Sequence, residues 1–178
     1  MHPLESIPEE RRRRAFLVLA AASVALMAAL GVEGGPLRTS AAPCGIVSYE
    51  LAGSRGAADA ILASWDPPGR ETARGNLILD FVFLIAYSSA IGLGALLAGD
   101  RHRAAGRLRL AMLALPLAWG ATAAGALDAA ENVALLADLS GSTRFAWPEI
   151  ARLAAIPKFV LVAAGILYAL PAFLRPRP

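Results

Sequence analysis

Apolar and polar positions along this chain fall into long blocks. Four runs, at about residues 15–32, 77–98, 110–136 and 150–174, are apolar almost throughout. A helix needs about 20 apolar residues to cross the hydrocarbon of a bilayer, and only helices or closed barrels satisfy their backbone there. Each run therefore predicts a transmembrane helix. The first follows Arg11 to Arg14 and has the outline of a signal peptide. No small-x-small cleavage site comes directly after it, so an uncleaved span is expected. The third is long enough to tilt or to protrude. The expected fold class is all-α: a four-helix transmembrane bundle forming a single integral membrane domain over residues 1–178.

The link at residues 33–76 shows a different pattern. Val47, Leu51, Ala58, Ile61, Leu62 and Trp65 recur at helical spacing, and Asp66-Pro67-Pro68-Gly69 stops them sharply. The spacing predicts an outer amphipathic helix over 46–65, or two pieces broken near Gly53 and Gly56. It would lie on the outer surface or cap the bundle. Trp65 and Trp147 read as interfacial anchors. Within the spans, Ala121, Gly125 and Ala129 recur every four residues, and Ser88 and Gly92 do the same, which predicts close helix contacts. Gly92-Leu93-Gly94 reads as packing. Pro116, Pro157 and Pro171 should bend or end helices locally, with Pro157 freeing the carbonyl of Leu153.

Charge sets the orientation. Ten arginines fall on one side of the spans: Arg11 to Arg14, Arg101, Arg103, Arg107, Arg109, Arg175 and Arg177. Arg38, Arg55, Arg70, Arg74 and Arg144 are spread over the longer loops of the other side, mixed with acids. The positive-inside rule puts both termini and the link at 99–109 in the cytoplasm of a bacterium, with the chain in its inner membrane. Composition agrees: 57% of residues are hydrophobic and the mean hydropathy is +0.54. Lys158 is the single lysine among 17 basic residues. This Arg- and Ala-rich usage reads as codon bias of a GC-rich genome, so the net charge of +3 is no sign of nucleic-acid binding. The expected partners are the lipid bilayer and a second copy of the chain in a homo-oligomer, with no nucleic acid. One cysteine, Cys44, excludes an intramolecular disulfide and a thiolate metal site. Ala41-Ala42-Pro43-Cys44 is no lipobox. His2 and His102 both lie outside the apolar runs, which excludes a bis-His haem within the bilayer, and no cofactor is expected.

Ionisable residues inside the runs are the candidate chemistry, because each costs on the order of 2.5–3.5 kcal/mol at mid-membrane on insertion scales. Asp80 lies in the second run, Asp128 and Glu131 with Asn132 in the third, and Lys158 in the fourth. The spacing of 128, 131 and 132 places them on one helix face. Asp80 shares a face with Tyr87, and Lys158 shares one with Gly165 and Tyr168. By depth, all the charged members lie in the outward layer, so Asp80, Asp128, Glu131 and Lys158 are expected to converge. Glu50, on the outer helix, either points at this layer or is solvated. Arg152 lies on another face of its span and can snorkel to headgroups.

Asp80, Asp128, Glu131 and Asn132 also form an oxygen set that could hold a hard divalent cation. No Ser-His-Asp set, thiol pair or phosphate-binding glycine loop accompanies them. The blocks Ile46-Val47-Ser48-Tyr49-Glu50-Leu51-Ala52-Gly53, Leu79-Asp80-Phe81-Val82-Phe83-Leu84-Ile85-Ala86-Tyr87 and Gly125-Ala126-Leu127-Asp128-Ala129-Ala130-Glu131-Asn132, with Ile156-Pro157-Lys158-Phe159, resemble a group of small, uncharacterised bacterial four-pass membrane proteins. The resemblance covers roughly residues 44–170 and implies no activity. Three functions stay open. The first is an outward-facing polar pocket, built from Asp80, Asp128, Glu131, Asn132 and Lys158 with Tyr87 and Glu50, that binds or moves a cation, a proton or an amphiphile. The second is a membrane enzyme acting on a lipid at the outer leaflet, with carboxylates as acid, base or metal ligands. The third is a structural or assembly subunit held together by an interhelical ion network.

Overall fold

Each apolar run lies in a helix whose ends are set by particular residues. In the computed structural model, which describes residues 2–174, the chain forms α1 (Glu9–Glu33), α2 (Ile46–Glu50), α3 (Arg55–Ser64), α4 (Pro67–Ala104), α5 (Leu108–Ala111), α6 (Ala114–Leu139) and α7 (Trp147–Leu174). Arg175 and Arg177 lie outside the described residues. There is no strand among the described residues. Four stretches are long and apolar enough to cross a membrane: α1, α4, α5 with α6, and α7. They leave large apolar side chains exposed along their length, among them Val18 and Val24 on α1, Val82 and Ile85 on α4, and Val160 and Leu167 on α7. Such surfaces are a liability in water and the normal outer face of a helix in lipid. The protein is therefore an all-helical, multi-pass membrane protein.

Two helix boundaries differ from the apolar runs. Asp66-Pro67-Pro68-Gly69 ends the pattern of α3 and also starts α4. The Asp66 carboxylate accepts the Gly69 N–H at 2.8 Å, and the two prolines occupy the first turn, where an amide hydrogen has no intrahelical partner. α4 thus has 38 residues, about 57 Å at 1.5 Å per residue, nearly twice a hydrocarbon core. The third run is interrupted at Met112-Leu113, between α5 and α6. Pro116 explains the break: its ring conflicts with the carbonyl four residues earlier, at Met112, and it offers no N–H to it. α7 continues through Pro157 and Pro171.

The link helix forms as two pieces. The chain breaks at Gly53, whose φ of +65° suits glycine, while Gly56 lies inside α3. A Cβ at residue 53 would come within 2.6 Å of Arg152 Nη1, so the Arg152 side chain lies along this glycine. Ser54 caps α3 by accepting the Ala57 N–H, and Arg70 closes its far end, with Nη2 donating to the Leu62 carbonyl at 2.7 Å.

The chain divides into two compact units, to each of which α1, α4, α6 and α7 contribute a stretch. The first comprises residues 1–24, 85–125 and 158–178. It packs helix on helix through small residues: a Cβ on Gly92 would meet Leu4 Cδ1 at 3.2 Å, the Ala118 carbonyl oxygen at 3.7 Å and Ala121 Cβ at 3.9 Å. Phe16 stacks on Phe173 at 5.2 Å. The N-terminal turn at Pro3–Ser6 is tucked in as well. His2 caps it, is buried, sits edge-on to Trp119 at 4.6 Å and has Nε2 3.0 Å from Thr122 Oγ1.

The second unit comprises residues 25–84 and 126–157. Its core gathers Leu37, Tyr49, Ala58, Ile61 and Trp65 from the link with Leu77 of α4, Leu135 of α6 and Ala151 of α7. Trp65 is a correction to the sequence reading. It is 3% exposed and its Nε1–H donates to the Leu37 carbonyl at 2.9 Å, so it is a core residue and no interfacial anchor. Trp147 is half-buried and donates to Ser142 Oγ at 3.0 Å.

Candidate functional site: a buried acidic stripe in the second unit

One face of α6 supplies most of the site. Asp128, Glu131, Asn132, Leu135 and Asp138 follow at i, i+3, i+4, i+7 and i+10, so the helix turns them all the same way. All five are 3% exposed or less. Asn132 reaches across to α4, where its Nδ2 donates to Asp80 Oδ2 at 2.6 Å. The direct Asp80–Asn132 link realises part of the expected constellation.

The stripe ends in a triad that the sequence reading missed. The Tyr49 hydroxyl donates to Asp138 Oδ2 at 2.7 Å, and Arg55 ion-pairs with Oδ1 through Nη1. The Asp138 side chain is wholly buried, while that of Arg55 is 37% exposed. The Tyr49 ring lies edge-on to Trp65 at 5.4 Å, and the ring is fully enclosed. Burial pushes the Tyr49 phenol well above its ordinary value of 10.0, and its hydrogen bond to the Asp138 carboxylate adds to the shift. A phenolate beside that carboxylate would be strongly disfavoured, so Tyr49 remains a donor. A signal for Asp138 existed: it lies three residues past Leu135 on the acidic face, but the third run was ended at residue 136. Tyr49 and Arg55 carried none, because only folding of the link brings them to α6.

The other expected site residues divide between the units. Glu50 is half-buried at the end of α2, in the second unit. Tyr87 and Lys158 belong to the first unit. Both are buried, at 8% and 6% exposed, and Lys158 Nζ stands 4.7 Å from the Phe159 ring centre. On α7, Lys158 and Gly165 are buried, and Tyr168, placed on the same face by the spacing, is half-buried.

Chemically the stripe is acidic and buried. Among the described residues, the buried charged side chains of the second unit are Asp128, Glu131 and Asp138, all of one sign. No three His, Cys, Asp or Glu side chains among the described residues gather as a metal-ligand set. Chain similarity adds no further assignment: no family model, no curated protein and no solved structure matches this sequence, and the chemistry of the site is read from its own geometry.

Proposed function

We propose that this chain is a multi-pass protein of the bacterial inner membrane, with both termini cytoplasmic, whose second unit offers an outward-facing acidic pocket to a monovalent cation, the proton included. The observation that carries the reading is the sign of the buried charge. Asp128 and Glu131 on one face of α6 are at most 3% exposed, with Asp80 tied to the same face through Asn132, while Asp138 further along is answered by Arg55. A concentration of buried carboxylates on one face favours the opposite sign in a ligand. Orientation is supported by the arginine asymmetry of the sequence. Four spans are few for a complete pathway, so movement of the cation across the membrane would use a homo-oligomer.

Purified protein melted across pH and in sodium, potassium or tetramethylammonium salts tests the site. Wild type should be stabilised by a cation or show a pH dependence of melting beyond that of His2, and Asp128→Asn and Glu131→Gln should lose that response. A second reading, in which the polar layer only holds helices in register, is favoured by the Asp80–Asn132 bond. It stands if both variants are destabilised, wild type responds to no cation, and its pH response is unchanged in the variants. Reporter fusions test the orientation: those after Arg14 and Arg103 should read cytoplasmic and one at Gly69 periplasmic.

A further inference from the structure

The first unit contains a cleft of about 200 Å³ lined by Glu5, Arg12, Leu96, Asp100, Arg103 and Leu115, together with Gly99, Ala111 and Ala114. Its charges are arranged unevenly. One carboxylate, Asp100, serves two guanidinium groups: Arg12 Nη1 is 3.3 Å from Oδ2 and Arg103 Nη1 is 3.5 Å from Oδ1. This part of the cleft therefore carries a surplus positive charge. Glu5, on the N-terminal turn, brings a negative charge to the same cleft; its carboxylate accepts the His2 backbone N–H at 2.5 Å. The Arg12 side chain is only 15% exposed, and its Nε–H is buried with no hydrogen-bond acceptor. Asp100 Oδ2 is likewise buried and accepts no hydrogen bond beyond its ion pair with Arg12. A buried donor and acceptor left unmet at one cleft mark a place where an occupant would complete the bonding.

We infer that this cleft binds a phosphate-bearing zwitterion of the phosphoethanolamine class, with the phosphate on Arg12 and Arg103 and the ammonium on Glu5. Planar guanidinium forks match phosphate oxygens, and a carboxylate set apart from them matches an ammonium. A lone anion would leave Glu5 unanswered and would be repelled by it. The wall also indicates a lipid as the source. Ala111, Ala114 and Leu115 flank the break between α5 and α6, where Met112 and Leu113 are 75% and 47% exposed. That apolar surface beside a charged cleft suits acyl chains leading away from a bound headgroup. The inference rests on the reading of the chain as a membrane protein, but not on its orientation.

The test compares phosphatidylethanolamine with phosphatidylglycerol of the same acyl chains, by native mass spectrometry and thermal shift of the full chain in detergent. Wild type should prefer phosphatidylethanolamine by about two- to five-fold, the discrimination that one partly exposed ion pair supplies. Glu5→Gln should abolish that preference by weakening phosphatidylethanolamine alone. Arg12→Gln should weaken both lipids. If that variant does not fold, Arg103→Gln, whose side chain is 67% exposed, should do the same in a folded protein. Arg13→Gln, exposed and outside the cleft, should change nothing. Equal binding of the two lipids by wild type, or an unchanged preference in Glu5→Gln, overturns the inference. Free phosphoethanolamine competing as well as the lipid, mole for mole, would assign the cleft to a soluble zwitterion and overturn the lipid source. A fusion at Arg103 reading periplasmic would overturn the orientation and leave the lipid result standing.

Discussion

The two units solve the same problem, the association of helices, by different means. In the first, α4 approaches α6 where Gly92 faces Ala118 and Ala121, with Leu4 of the N-terminal turn against the same glycine. Lipid gives helices no hydrophobic reason to associate, so close contact between small residues supplies the attraction. In the second, the link at residues 34–66 brings Leu37, Tyr49, Ile61 and Trp65 into one core with Leu77 and Leu135, as a water-soluble domain would. Two of its buried polar groups are met by specific partners, Trp65 by the Leu37 carbonyl and Asp138 by Tyr49 and Arg55. The first unit should accordingly be vulnerable to added volume and the second to lost volume and lost partners.

The largest effect is expected at Tyr49. Tyr49→Ala removes a fully enclosed ring and a donor to a buried carboxylate, and should cost about 3–5 kcal/mol, read as a lowered unfolding midpoint in detergent. A loss below about 1 kcal/mol would break the picture of a soluble-type core, since large-to-small changes there exceed that. In the first unit the matching change adds volume. Gly92→Leu should cost about 1–3 kcal/mol through overpacking against Leu4 and Ala118, whereas Gly31→Leu, on the stretch of α1 in the second unit where nothing lies within 4 Å of the added Cβ, should be near neutral.

The two aspartates sharpen the contrast. Asp138→Asn, at a wholly buried side chain holding two partners, should cost about 1–3 kcal/mol. Asp100→Asn, whose side chain is 33% exposed, should cost less than about 1 kcal/mol in the same melting assay. Equal losses would remove the distinction between the units.

The smallest effect concerns the N-terminal turn. Burial lowers the His2 imidazole below its ordinary value of 6.5, against the raising effect of Glu5. A group with a lowered folded value favours the folded state in its neutral form. Its contribution is complete above pH 6.5 and is lost as pH falls from there toward the folded value. Wild type should therefore melt at a lower temperature at about pH 5.5 than at about pH 7.5, with a smaller difference in His2→Gln, once other titrating groups are subtracted as the shared background.

Much of this was legible along the chain, and particular residues show how. Runs of apolar residues long enough for the hydrocarbon core announce helices wherever they fold, because a backbone in lipid has no other local way to satisfy its N–H and C=O groups. The break at Gly53 and the common face of Asp128, Glu131 and Asn132 follow from single-residue geometry and from helical period. Residues such as His2 were illegible for the opposite reason. A histidine near the N-terminus and outside every apolar run carries no periodic signal, and its burial depends on Trp119 and Thr122, more than a hundred positions away.

The same division holds at the candidate site. Which residues share the face of α6 was determined by the sequence alone, since 3.6 residues per turn is a local property of the backbone. Which of those residues acquire partners was decided by the tertiary structure. Asp138 lay on the legible face, yet its Tyr49 and Arg55 came from a link whose own spacing marked Trp65 for an interface and left Tyr49 unremarked. The physical reason is that helical period says only which side chains point together, while burial and pairing depend on what the rest of the chain brings against them.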